Sequence, residues 1–250
     1  MRVRSLVALA FVGAALAFAG ASSPAAKPPA LNERCLTKAE RKHAVSFRTW
    51  DGFTLRGVVL GRGSVGIVLG HEKNADLCNW LPFARVLAGA GYRVLALDFR
   101  GHGSSQATRA NLKAFRLDRD FAAGAKLLRS RGATRTVLMG ASMGGTGALV
   151  AAATLQPQPA AVVVLSSLTD FSSLDARPAV TRLRSPTLYV VGKDDSCCTE
   201  DMQTLYDTAA APVKRLEFLD SGEHGTKLLK GATGPSLRAT ILAFLSDNIS

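Results

Sequence analysis

A serine between two glycines, a pair of adjacent aspartates and four histidines are the residues of this sequence best suited to nucleophilic and acid–base chemistry. The serine is Ser142, in Gly140-Ala141-Ser142-Met143-Gly144, a G-x-S-x-G pattern. An apolar run ending in Thr136-Val137-Leu138-Met139 precedes it, and a helix-like run over residues 143–154 follows. A strand that feeds a tight turn and then a helix lifts one serine clear of a sheet, where its hydroxyl can attack a carbonyl. Gly140 and Gly144 omit side chains that would collide where the two elements cross closely. A serine alone is a poor nucleophile. It needs a base, the base needs an orienting acid, and the developing oxyanion needs donors.

The histidines are His43, His71, His102 and His224. His224, in Ser221-Gly222-Glu223-His224-Gly225, follows the last strand-like run and is the expected base. The acid comes from Gly192-Lys193-Asp194-Asp195. Asp195, in the fourth position of that turn, is placed to point back across the strand ends, with Asp194 as the alternative. Held against His224, it would fix the tautomer and stabilise the imidazolium.

The elements that must bring these groups together follow from the hydrophobic pattern. Residues 44–49 and 53–60 are β-like runs joined at Asp51-Gly52, a hairpin signal. Residues 65–69, 93–97, 136–139, 160–165, 186–191 and 215–219 read as strands. Residues 81–90, 117–131, 143–154, 200–210 and 236–244 read as helices, with Gly91 and Gly132 as stops. Strands alternating with helices after an opening hairpin predict an α/β domain with a mostly parallel, doubly wound sheet. Ligands of such sheets bind beyond the carboxyl ends of the strands, which is where Ser142, Asp195 and His224 fall.

The chain resembles the α/β-hydrolases, and within them the small lidless serine hydrolases that include dienelactone-hydrolase-like and bacterial secreted esterase-like proteins. The likeness is carried by Val68-Leu69-Gly70-His71, Asp98-Phe99-Arg100-Gly101-His102-Gly103-Ser104, the Ser142 turn, residues 186–195 and residues 222–225. The order Ser142, Asp195, His224 is that family's triad order. The resemblance implies an oxyanion hole made by the backbone N–H groups of Met143 and, after the 65–69 strand, of Lys73, with Glu72 as the alternative. The family usually has His-Gly where this chain has His71-Glu72-Lys73. In the dienelactone-hydrolase branch a carboxylate at that point can hold the resting nucleophile. His71 and the 100–103 loop are expected as structural supports, and Trp80 as a helix start beneath the site. Only residues 166–185 stand where lidded relatives carry a cap, too few for a cap domain.

The remaining features bound the setting. Arg2 and Arg4 precede an apolar, Ala-rich stretch, so residues 1–21 read as an export signal, 22–43 as a flexible spacer and 44–250 as the domain. The formal charge is +12, spread without a dense basic stripe, which argues against nucleic acid and allows weak attraction to an anionic cell envelope. Cys35, Cys78, Cys197 and Cys198 allow three pairings that sequence does not separate. No zinc spacing occurs, and neither metal nor cofactor is expected. The expectation is a secreted or periplasmic monomeric hydrolase acting on small-molecule esters with small or exposed acyl groups. An acyltransferase or peptidase with the same triad, and a non-catalytic binding protein on the scaffold, are the alternatives.

Overall fold

A computed structural model describes residues 33–105 and 115–249. The expected export signal and the first part of the spacer lie outside the described residues. The rest of the expected spacer is structured. A 3-10 turn, Glu33–Cys35, leads to α1 (Lys38–Arg41), whose Thr37 and Glu40 form a reciprocal capping box. Glu40 also takes two hydrogen bonds from the Arg85 guanidinium, at 2.7 and 2.9 Å, and Cys35 is disulfide-bonded to Cys78. The arm is thus fastened to the domain at two points. The Arg85 hydrogen bond is the main reason that the Glu40 carboxyl is lowered to about 2, against the opposing effect of burial.

The opening hairpin is β1 (Ala44–Arg48) and β2 (Thr54–Leu60), antiparallel. Then come β3 (Val65–Gly70), α2 (Leu81–Gly89), β4 (Arg93–Asp98), α3 (Leu117–Ser130), β5 (Arg135–Ala141) and α4 (Met143–Thr154). The chain continues through β6 (Ala161–Leu165), a small hairpin of β7 (Asp170–Phe171) and β8 (Leu174–Asp175), and α5 (Arg177–Val180). It ends with β9 (Thr187–Gly192), α6 (Thr199–Thr208), β10 (Lys214–Leu219) and α7 (Gly234–Asn248). Most expected elements fall within a few residues of these bounds. The largest extension is α7, where Pro235 occupies the first turn, a position that tolerates its missing N–H.

The main sheet has the order β1-β2-β4-β3-β5-β6-β9-β10. Pairing is parallel from β4 to β10 and antiparallel between β1, β2 and β4. The central strands are buried on both faces, which explains their unbroken apolar runs. One face packs Phe121 and Leu128 of α3, Leu149 of α4, and Met202 and Leu205 of α6. The other packs Phe83 and Leu87 of α2 with Ile241 and Phe244 of α7. From β3 the chain moves outward to β4 and then returns to β5 on the other side. The crevice at this reversal, above β3 and β5, is where such sheets hold ligands.

Arg100 braces the hairpin edge. It is 1 % exposed and bonds Asp120 on α3 and Asp51 in the hairpin turn, while its guanidinium lies over the Phe53 ring. Burial works to raise the Asp51 carboxyl. Hydrogen bonds from Arg100, Thr49 and Arg119 outweigh it and hold the group well below its ordinary value of 3.8. A carboxyl depressed by folding stabilises the fold above that ordinary value and loses the contribution as pH falls through and below it.

Two outcomes follow for stability. Replacing both Cys35 and Cys78 by serine should lower the unfolding free energy by about 2–4 kcal/mol, read by urea titration, with native circular dichroism retained. Asp51→Asn should cost about 1.5–3 kcal/mol at neutral pH, the usual worth of hydrogen bonds to a charged group. The difference from the parent should shrink as the pH is taken below 3.8.

Candidate active site

Ser142 stands between β5 and α4 with φ 50° and ψ −121°. This is a left-handed backbone that a non-glycine residue adopts at a cost of roughly 1–3 kcal/mol. The flanking glycines make it possible. A Cβ on Gly140 would lie 2.1 Å from the Gly144 carbonyl oxygen, and one on Gly144 would lie 2.5 Å from that of Gly70 and 2.6 Å from that of His71. Gly140 is also the register partner of Gly70, so the two strand ends and the first turn of α4 converge on one point. The Ser142 N–H donates to the Leu165 carbonyl at 2.9 Å, tying the turn to the end of β6. Met143 opens α4, so its N–H is among the first-turn donors that a helix leaves without an intrahelical acceptor.

Asp195 and His224 meet. Asp195 is 4 % exposed in the turn after β9, and its Oδ2 lies 3.0 Å from His224 Nδ1. Asp194, the alternative, is exposed beside it. The turn is held by the Asp195 carbonyl, which accepts from Cys198 N–H and Thr199 N–H. A carboxylate in contact with Nδ1 favours the tautomer with the proton on that nitrogen, which leaves Nε2 as an acceptor.

The loop carrying His224 is brought to the serine turn by its neighbours. The Gly225 N–H donates to Ser166 Oγ at 3.0 Å, and Ser166 N–H donates to the Val190 carbonyl. A Cβ on Gly225 would lie 3.5 Å from Ala141 Cβ and 3.6 Å from Glu72 Cδ. The residue after the histidine is thus in contact range of the residue before the serine. The Ser142 hydroxyl has no hydrogen-bond partner among the described residues, His224 included.

The loop after β3 carries the second expected donor. Lys73 lies in an exposed turn, and the left-handed residue there is Asn74, at φ 60°. Glu72 itself is not in a left-handed backbone. Its carboxylate faces inward. Oε1 accepts from Asn79 Nδ2 at 2.8 Å and from Thr226 Oγ1 at 2.5 Å, while Oε2 is buried without a partner among the described residues. Glu72 thus fastens the β3 loop to the histidine loop rather than holding the Ser142 hydroxyl.

The expected supports behave as supports. His71 donates from Nδ1 to the Glu72 carbonyl at 2.7 Å and accepts the Phe99 N–H on Nε2 at 3.2 Å. Burial lowers it to about 4, so it stays neutral. Asp98 accepts from the N–H groups of Leu77 and Ser104, and a Cβ on Gly103 would meet its Oδ2 at 2.3 Å. Trp80 is fully buried at the start of α2 and donates Nε1–H to the Gly70 carbonyl at 2.9 Å. Sequence reasoning missed Ser166 and Thr226, which position the histidine loop. Only their sites just beyond a strand end and beside His224 could have marked them.

Geometrically, a strained serine at a strand–helix turn and an aspartate-oriented imidazole share one edge of the sheet, with backbone donors beside the serine. Such a set fits attack of a hydroxyl on a carbonyl. Known proteins give the fold an independent frame. No curated protein matches the sequence. An esterase of Pyrococcus furiosus is similar in structure, with a TM-score of 0.71 at 19% identity over 83% of this chain and 91% of that one. An esterase of a Rhodococcus species gives 0.68 at 18% over 82% and 99%. An enol-lactonase of Burkholderia xenovorans gives 0.67 at 17% over 81% and 100%. Residues 67–178 match the family model described as alpha/beta hydrolase fold. By that match, by its sheet order and by its likeness to these structures, the chain is a protein of the alpha/beta hydrolase fold.

Proposed function

We propose that the protein is a serine hydrolase that cleaves carboxylic esters with small or exposed acyl groups. The observation that carries this reading is the joint presence of the left-handed Ser142 and the 3.0 Å Asp195–His224 contact at one sheet edge. In the proposed cycle Ser142 Oγ attacks the ester carbonyl carbon while His224 Nε2 takes the hydroxyl proton. The oxyanion is received by the N–H groups of Met143 and Lys73. Collapse of the tetrahedral intermediate expels the alcohol, which takes the proton from His224. Water, deprotonated by the same imidazole, then releases the acid from Ser142. Asp195 holds the ring in the tautomer that leaves Nε2 free.

The segment between β6 and β9 bears on substrate size. Between β6 and β9 the chain forms only the β7–β8 hairpin and the single-turn α5. This excursion is too small to enclose a long acyl chain, so short or protruding acyl groups suit it best. The esterases and the enol-lactonase of similar fold are consistent with ester or lactone cleavage. Export to a periplasmic or extracellular space is part of the proposal. It rests on the basic and apolar start of the sequence and on the Cys35–Cys78 disulfide, a bond that persists in oxidising compartments.

Kinetics on p-nitrophenyl esters test the assignment. Ser142→Ala should lower kcat by about 10⁶, the effect of removing the nucleophile where such triads have been dissected. Asp195→Asn should lower it by about 10⁴ with the fold intact, because the wrong tautomer is then favoured. Parent-like rates in either variant would remove that residue from the mechanism. Across chain lengths, kcat/KM should peak at acetate to butyrate and fall toward palmitate. A maximum at palmitate would contradict the open-site reading.

A further inference from the structure

Beside the Asp195–His224 pair lies a group that hydrolysis does not use. Cys197 and Cys198 follow the acid in the turn that enters α6. Cys197 is exposed, Cys198 is buried, and neither is in a disulfide. Their sulfurs are 2.7 Å apart, and Cys198 Sγ lies 3.9 Å from His224 Nδ1, the nitrogen that faces Asp195. One ligand atom from each of Asp195, Cys197, Cys198 and His224 falls within 4.8 Å of all the others.

Two sulfurs, one imidazole nitrogen and one carboxylate oxygen form a donor set suited to zinc and its softer congener cadmium. Bonds of roughly 2.0–2.3 Å in a tetrahedral ion set neighbouring ligand atoms about 3.3–3.8 Å apart, so the two sulfurs need to part by about 1 Å. Cys197, on the surface, has the space to turn. A cavity of about 520 Å³ opens next to it, lined by Asp194, Cys197, Glu200 and Asp201 with Lys193. Three carboxylates against one ammonium make that mouth attractive to a cation. The sequence hides the set because two ligands are adjacent and the histidine comes 26 positions after Cys198.

We propose that Asp195, Cys197, Cys198 and His224 form a binding site for a soft divalent cation, with Zn²⁺ as the fitting ion, and that its occupancy switches the hydrolase off. The first half stands on the cluster itself, and the second rests on the proposed function. On binding, both thiols lose their protons to solvent and become thiolates. The ion takes His224 Nδ1, displacing the hydrogen bond to Asp195. With Nδ1 on the ion, the ring proton moves by exchange with solvent to Nε2. A ring protonated on Nε2 cannot accept the Ser142 proton, so the nucleophile loses its base.

Cadmium supplies a readout separate from activity, the ultraviolet charge-transfer absorbance of its thiolate bonds. Cd²⁺ alone is titrated into the purified, mildly reduced protein, and p-nitrophenyl acetate hydrolysis is followed in the same samples. The expected result is one ion per chain, with hydrolysis falling at least tenfold as the band saturates, and Zn²⁺ competing for the site. Cys197→Ser should weaken binding at least tenfold, reduce the band and keep the basal rate. A Cys35→Ser/Cys78→Ser variant should keep the band, which excludes thiols released from the disulfide. No band, or a band unchanged in Cys197→Ser, would overturn the site. A saturated band with hydrolysis unaltered would overturn the switch. A saturated band in a protein with no hydrolysis at all would leave the metal site standing and remove the hydrolase reading.

Discussion

The backbone of Ser142 is the constraint around which the fold is arranged. A serine held at φ 50° is disfavoured by roughly 1–3 kcal/mol and persists only where the surroundings leave no alternative. Here β5 is locked between β3 and β6, and α4 is buried along almost its whole length. The chain must therefore turn within a single residue, and that residue projects from the sheet. The glycines at 70, 140 and 144 permit the approach, since a Cβ at any of the three would overlap an atom of a neighbouring segment. Strain at the serine is the local consequence of packing distributed over the whole sheet.

The remaining site groups are carried by loops, and loops need fastening. Three hydrogen-bonded links supply it: Asp195 to His224, Ser166 to the Gly225 N–H, and Glu72 to Thr226. Each runs from one strand end to the histidine loop, so the imidazole is positioned from β9, β6 and β3 together. The same crowding brings Cys197 and Cys198 against the acid and the base. A thiol pair in that place has access to the nitrogen whose proton the proposed catalytic cycle depends on.

Features set by local pattern were legible in the sequence. The buried strands announced themselves as short apolar runs, the hairpin by Asp51-Gly52, and the serine turn by its glycines between a strand and a helix. Asp195 and His224 could be chosen because the sheet's own rule places functional loops at the strand ends, and the structure joins them. Features set by distant contacts were not legible. Residues 33–43 look like spacer by composition, yet Arg85 and Cys78 hold them to the domain. Glu72 carries a carboxylate whose partner, Thr226, is 154 positions away. Ser166 and the adjacent cysteines acquire meaning only when β6, β9 and β10 are laid side by side.

The proposed chemistry needs Ser142 to act as a nucleophile with His224 as its base. Labelling with a fluorophosphonate, which phosphonylates activated serines, followed by mass spectrometry of the digested protein, tests it most directly. Stoichiometric label is expected on the peptide containing Ser142, with its loss when His224 is replaced by alanine. Label on another serine, or none on a folded protein, would contradict it.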